Sequence, residues 1–242
     1  LDKTGQLQCT TCHDPHKNVN GQFLVLPNVS SNLCTICHQT NGWNLSSHSA
    51  SNATWNGNGA NPWPHTSNTT VSENGCENCH KPHTAGKHER ILNYEFEEDN
   101  CLVCHNGNVT GTSISSEITK PYKHGVQNFI NIHDPIENFT TQVQKHVECE
   151  DCHNPHQSNG NLSTGAPQLS GKNKGVTGIN ASGQQIEVSA NQFEICFKCH
   201  GDNNVITVVS VDRQIQQLNT RLEFATSNPS YHPVESQGVN MN

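Results

Sequence analysis

The chain has 242 residues and is acidic, with 21 Asp and Glu against 13 Lys and Arg for a formal charge of -8, which excludes nucleic acid as a partner class. Hydrophobic residues make up 31% and aromatic ones 5%, with a mean hydropathy of -0.70, too little to bury an ordinary core at this length. The longest apolar stretch, Val205 to Val211, is far short of a transmembrane segment.

From Cys9 onward the pattern Cys-x-x-Cys-His occurs six times: Cys9/Cys12/His13, Cys34/Cys37/His38, Cys76/Cys79/His80, Cys101/Cys104/His105, Cys149/Cys152/His153 and Cys196/Cys199/His200. Two cysteines three apart lie about one helical turn from each other, so both thiols reach the two vinyl groups of one porphyrin. The histidine that follows meets the iron, which makes this the attachment signal for c-type haem. Zinc would need two such pairs, or one pair with spaced histidines, and gives no reason for a histidine after all six second cysteines. Disulfides are excluded because the motifs consume all 12 cysteines. The expected cofactors are therefore six covalently attached haem c groups. They supply the missing apolar core, and the chain without them is expected to be unfolded. Such attachment takes place outside the cytoplasm, so an extracellular or cell-surface location is expected. The opening Leu1-Asp2-Lys3-Thr4 has neither a basic n-region nor an apolar h-region, which fits removal of a signal peptide.

The motifs form three pairs. The first member of each pair is extended, in Cys-His-Asp14-Pro15-His16, Cys-His-Lys81-Pro82-His83 and Cys-His-Asn154-Pro155-His156, and the second is not. First cysteines lie 25, 25 and 47 residues apart within pairs, and successive pairs start 67 and 73 residues apart. This is a threefold internal repeat. The third unit carries an insertion, Gln157 to Ser189, rich in Gly, Ser and Asn and expected to be an exposed loop. Helical turns are expected at each motif and should end before the proline. Val205 to Val209 reads as extended, and Ile215, Leu218 and Leu222 recur at helical spacing within Val211 to Phe224. The expected fold is one domain, mostly coil with short helices and little sheet: a multihaem c-type cytochrome organised around a row of six stacked haems. Its three paired-motif units run about 1–65, 66–146 and 147–242.

Sixteen histidines less six proximal ligands leaves ten: His16, His48, His65, His83, His88, His124, His133, His146, His156 and His232. The single methionine is Met241, so bis-histidine ligation at low potential is expected throughout. His16 lies three residues after His13, and three extended residues span only about 10 Å, too short to pass round a porphyrin to the same iron. A ligating His16 therefore serves a different haem, and the same holds for His83 and His156. Along the repeat, His83 serves the iron on His13 and His156 the iron on His80. The iron on His153 is then left over, and so is His16. The two meet if His16 of one molecule ligates the His153 haem of its neighbour, a head-to-tail contact that propagates; the alternative is that His16 folds back or is unused. For the second haem of each pair, the chosen ligands are His48 for His38, His124 for His105 and His232 for His200. The rival set is His65, His133 and His146, and His88 is assigned to solvent.

The doubled Cys-x-x-Cys-His-x-Pro-His motifs, with Cys9, Cys12, His13 and His16 at the start, resemble the secreted multihaem cytochromes of metal-respiring microbes that polymerise into extracellular filaments. The segment Cys37-His38-Gln39 through Ser47-His48-Ser49 is also similar to the stretch after the second haem of a hexahaem member. The resemblance covers motif order along most of the chain but not the loops between. It implies an inter-protomer role for His16, a homopolymeric filament, and electron delivery to other redox proteins or extracellular acceptors. Two alternatives remain. One is a soluble or membrane-complex-associated electron shuttle. The other is a multihaem reductase with one open iron, although all six motifs end in histidine.

Overall fold

The computed structural model describes residues 1–86, 88–127, 147–202, 214, 217 and 219–239. Among them are eight short α-helices: α1 Cys9–Cys12, α2 Asn32–Thr35, α3 Ser47–Ala50, α4 Val71–Asn74, α5 Glu97–His105, α6 Ser115–Ile118, α7 Gln192–His200 and α8 Thr220–Phe224. The described sheet is one antiparallel hairpin, β1 Gly178–Ile179 with β2 Gln185–Ile186. The chain is thus mostly coil with short helices, as its composition requires.

Each motif is a helical turn. In four of them the histidine N–H bonds back to the carbonyl of the first cysteine at 2.9 Å: His13 to Cys9, His38 to Cys34, His80 to Cys76 and His153 to Cys149. The other two motifs form the last turns of α5 and α7. These two helices are the longest because their starts are prepared. Glu97, Glu98 and Asp99 offset the positive end of α5. In α7, Glu194 Oε2 accepts the N–H groups of Ala190 and Asn191 at 2.6 and 2.8 Å.

Two compact units are present, Leu1–Lys123 with the first four motifs and His124–Asn242 with the last two. This partition by packing differs from the threefold repeat of the motifs. In the first unit Trp63 is 3% exposed and its Nε1 donates to Asn78 Oδ1 at 2.7 Å. Asn78, inside the third motif, in turn donates to the carbonyls of Val71 and Gly75. In the second unit Ile179, Phe193 and Phe197 form the buried cluster, with Phe224 and Val234 against it. Arg221 grips Asp202 through Nε at 2.6 Å and Nη2 at 2.7 Å, fixing α8 beside the end of α7.

The insertion departs from expectation. Val176 and Ile179 within it are 3% and 7% exposed, so part of Gln157 to Ser189 belongs to the second core rather than to a solvated loop. Ile179 of this polar stretch has packed onto the apolar surface of Phe193 and Phe197. The extended reading of Val205 to Val209 lies outside the described residues, as do Ile215 and Leu218. The described part of the C-terminal helix is α8, whose cap is Asn219 Oδ1 accepting Arg221 N–H at 3.0 Å.

One close approach in the first unit ties Ser31, just before the second motif, to the third motif. Ser31, 1% exposed, accepts the Cys76 N–H on its Oγ at 2.6 Å. Gly75 makes room for it: a Cβ there would stand 1.8 Å from Ser31 Oγ, and the backbone sits at φ 51°, ψ -118°, a region that side chains avoid. Gly75→Ala is expected to destabilise this unit by about 2–4 kcal/mol through overpacking and strain. A thermal unfolding midpoint unchanged from the parent would show that Ser31 can yield.

Candidate haem centres

The three proximal histidines that open a pair share one local device. His13 Nδ1 donates to the Gln22 carbonyl at 3.0 Å, His80 Nδ1 to that of Arg90 at 2.9 Å, and His153 Nδ1 to that of Lys172 at 3.0 Å. A carbonyl only accepts, so the proton sits on Nδ1 and Nε2 is left free to bind a metal. In the first two units the acceptor belongs to a turn of two consecutive left-handed residues, Gln22 and Phe23 at φ 51° and 57°, and Arg90 and Ile91 both at 52°. Such residues cost on the order of 1 kcal/mol each. The turn is clamped to the motif, with Asp14 N–H on Phe23 O and Lys81 N–H on Ile91 O at 2.7 Å each. Val25 N–H on Cys12 O and Asn93 N–H on Cys79 O complete it. In the third unit the insertion supplies the same acceptor from a 3-10 turn, and Asn173 Nδ2 donates to Cys152 O at 2.7 Å instead. Sequence inspection missed these turns because neither Gln-Phe nor Arg-Ile is a turn signal.

Three proximal rings face a second imidazole. His13 and His83 have centroids 5.8 Å apart with planes at 30°; His48 and His105 are 6.1 Å apart at 87°; His124 and His200 are 6.1 Å apart at 50°. An imidazole–metal bond is about 2 Å, and adding about 1 Å from each nitrogen to its ring centre places two axial imidazoles roughly 6 Å apart. The donor sets therefore fit a haem iron held between each pair. All twelve cysteines are exposed or half-buried, unlike ordinary free cysteines, which are mostly buried. Phe23, Ile36 and Leu45, close in sequence to the first two motifs, are 47%, 61% and 66% exposed. His13, Pro15, Gln22 and Phe23 line an open, largely apolar cleft. Thiols and apolar surface facing outward fit a flat hydrophobic group laid against them.

The two thiols of a motif are not always equally open, although one porphyrin is expected to take both. Cys9, Cys37 and Cys196 are exposed, whereas their motif partners Cys12, Cys34 and Cys199 are half-buried. Cys196 and Cys199, both in α7, lie within electrostatic reach of Cys152 in the fifth motif. Lys198, between them, docks α7 on that motif. In the other three motifs both cysteines are half-buried: Cys76 with Cys79, Cys101 with Cys104, and Cys149 with Cys152.

His83 stands opposite His13, as the repeat predicts. His48 and His124 do not take the partners assigned from chain order. His48 faces His105 rather than His38, and His124 faces His200 rather than His105, so His232 is not the ring opposite His200. For His48 the reason is that α3, which carries it, is docked on α4 of the next repeat. His88 is also corrected: it is half-buried and its Nδ1 donates to the Leu92 carbonyl at 3.1 Å, rather than facing solvent. His65 is exposed and lies within electrostatic reach of Glu77. His156 is half-buried, with its N–H on Asn154 Oδ1 at 3.0 Å. His16, His38, His153 and His232 are exposed. His133 and His146 lie outside the described residues.

Neighbouring motifs are joined at their cysteines. Hydrogen bonding from Cys34, aided by the Ser31 hydroxyl and opposed by burial, holds the Cys76 thiol down at about 6 while Cys34 is pushed up. The second and third attachment points are therefore adjacent. In the second unit Lys198, inside the sixth motif and 3% exposed, donates to the Asp151 carbonyl of the fifth motif at 2.5 Å and lies 3.6 Å from its Oδ1. Burial raises the Cys104 and Cys152 thiols to about 11 each, so both stay neutral before attachment. At Cys152 the nearby Asp151, Cys196 and Cys199 push the same way, against Lys198.

A family described as outer membrane cytochrome MtrC/MtrF-like, domains II/IV, matches residues 68–232, and the doubled CXXCH motif family matches residues 3–42. No curated protein and no solved structure matches the chain.

Proposed function

We propose, on the premise that this chain belongs to the MtrC/MtrF-like outer membrane cytochrome family, that it conducts electrons through six bis-histidine c-type haems as the repeating unit of an extracellular filament. The observation that carries the reading is the set of three imidazole pairs at 5.8, 6.1 and 6.1 Å, each joining a motif histidine to a histidine from another repeat. When bound, each haem supplies a one-electron ferric/ferrous couple, placed at low potential by two imidazole ligands.

The chain's part is to hold. Twelve cysteines anchor the six rings, the six motif histidines give the proximal nitrogens, and His83, His48 and His124 supply the opposite ones. The same step along the repeat assigns His156 to the iron on His80. The Nδ1–H bonds to Gln22, Arg90 and Lys172 fix ring orientation and raise ligand basicity, which favours the ferric state. Contact between motifs, as at Cys34 and Cys76, keeps successive attachment points close. Tunnelling falls steeply with separation, so this spacing is what conduction needs.

His16 belongs to the joint between copies. It is exposed, its N–H is pinned to Asp14 Oδ1 at 3.0 Å, and His153, whose iron it is assigned to across the joint, is exposed too. The polymer lies outside the cell or on its surface and passes electrons to other redox proteins or extracellular acceptors. Electron microscopy of the secreted holoprotein is expected to show filaments, with six haem equivalents per chain by pyridine haemochrome. His16→Ala is expected to abolish assembly with all six haems retained. A discrete monomer from the parent chain, or filaments unaffected by His16→Ala, would overturn the reading.

A further inference from the structure

We infer that Lys198 sets the reduction potentials of the fifth and sixth haems, on His153 and His200, its ammonium holding both up against the carboxylates of the fifth motif. This rests on the haem reading above and not on the polymer.

The residues enclosed by the six cysteine pairs carry little charge. In chain order they are Thr-Thr, Thr-Ile, Glu-Asn, Leu-Val, Glu-Asp and Phe-Lys, so the fifth loop is the only one with two carboxylates, Glu150 and Asp151, and the sixth the only one with a cation. The fold brings these two loops together. Lys198, 3% exposed, donates to the Asp151 carbonyl and stands 3.6 Å from Asp151 Oδ1, and Asp151 is itself 5% exposed. Glu148, 2% exposed, opens the same turn, its N–H bonded to Asp151 Oδ2 at 2.8 Å. The thiols meet there too, with Lys198, Asp151, Cys196 and Cys199 all within electrostatic reach of Cys152. The attachment points of two porphyrins therefore gather around one ammonium and one carboxylate. Phe197, the preceding residue of α7, is 2% exposed and packed with Ile179 and Phe193, so the helix cannot turn to release Lys198.

As a docking peg alone this pair is a poor choice. A buried ion pair is often no better than apolar side chains of the same volume, and Lys and Asp are seldom buried this deeply. What an apolar peg would not supply is charge. An electron added to a haem is stabilised by a nearby cation and opposed by a nearby anion, and both effects are strongest in a buried setting that salt screens poorly. Glu148, Glu150 and Asp151 would drive the fifth haem below its neighbours and make that link a barrier to electrons. Lys198 offsets them there and lifts the sixth haem as well.

The test uses holoprotein of the parent, Lys198→Met, Lys198→Gln, Lys198→Arg and Asp151→Asn, each checked for six haem equivalents and a low-spin ferric EPR spectrum. The low-spin component that disappears in His124→Ala marks the sixth haem. Midpoints are read by potentiometric titration at low and high salt. Lys198→Met and Lys198→Gln should both lower the midpoint of the marked component and of one further haem, by similar amounts despite their different polarity, and leave the other four in place. Lys198→Arg should hold both at the parent values, Asp151→Asn should move them up, and none of these shifts should vanish at high salt. Unchanged midpoints in the neutral variants overturn the inference, as does a fall in Lys198→Arg equal to that in Lys198→Met, which would make packing the cause. If the neutral variants lose haem, Asp151→Asn decides alone, and midpoints that stay or fall there overturn the inference. A parent with six low-spin haems and variants with unmoved midpoints leave the function proposed above standing; a parent short of haem on the fifth or sixth motif removes both.

Discussion

The haem-free chain is expected to have no cooperative tertiary structure. Among the described residues only nine hydrophobic side chains are buried: Trp63, Val71, Ala85, Val103, Val176, Ile179, Phe193, Ile195 and Phe197. At about 1.5–3 kcal/mol for each large side chain, these offset only a fraction of the roughly 1–2 kcal/mol per residue lost in ordering the backbone. The balance has to come from apolar surface that faces outward in the polypeptide alone, including Leu7, Phe23, Ile36 and Leu45. Fixing a porphyrin over such surface buries both partners and closes a loop through two thioethers. Cytoplasmic expression without haem attachment should give a coil-like circular dichroism spectrum and no sigmoidal denaturant transition. The attached form should unfold cooperatively. A sharp urea transition in the haem-free chain would show that the polypeptide carries its own core.

The residues differ in how plainly they announced their roles. The six turns were legible because the chemistry is local: two thiols and a nitrogen must meet one ring, and the spacing that allows this is a helical turn. What the spacing does not carry is how each thiol sits among its neighbours, as the hydrogen bond between Cys34 and Cys76 of successive motifs shows. His83 was legible for a related reason, since a three-residue tether forbids its own iron and the repeat names the next. His48 and His124 stand opposite other motif histidines than those assigned to them from chain order. Their partners depend on how coil segments cross between repeats, and Asn-, Ser- and Gly-rich coil carries no periodicity from which a crossing can be read. Gly75 and Ser31 lie 44 residues apart, and nothing in either neighbourhood signals that they touch. The carbonyls of Gln22 and Arg90 were invisible because any residue offers one; what singles them out is a left-handed turn at residues that ordinarily avoid it.

Removing a far ligand should have the largest electronic effect, and the ring geometry tells the centres apart. His83→Ala should leave the iron on His13 with an open position, and His48→Ala should do the same at His105. Each variant should keep six haems and turn one of them high-spin, with its potential raised on the order of 0.1 V, since axial ligands set haem potentials across about 0.8 V. The planes of His48 and His105 are at 87°, whereas those of His13 and His83 are at 30°. Orthogonal imidazoles leave the two iron orbitals that overlap with the ligand π systems nearly equal in energy, and near-parallel ones split them. The low-spin EPR spectrum of the parent should therefore contain a highly anisotropic component from the His105 centre and a rhombic one from the His13 centre. His48→Ala should remove the first and spare the second, and His83→Ala should do the reverse. A raised potential at one link makes a trap for electrons, so filament conductance should fall in both variants. The same component lost in both would mean that these rings do not face separate irons. A six-coordinate spectrum unchanged in either would mean that the variant's histidine is not a ligand.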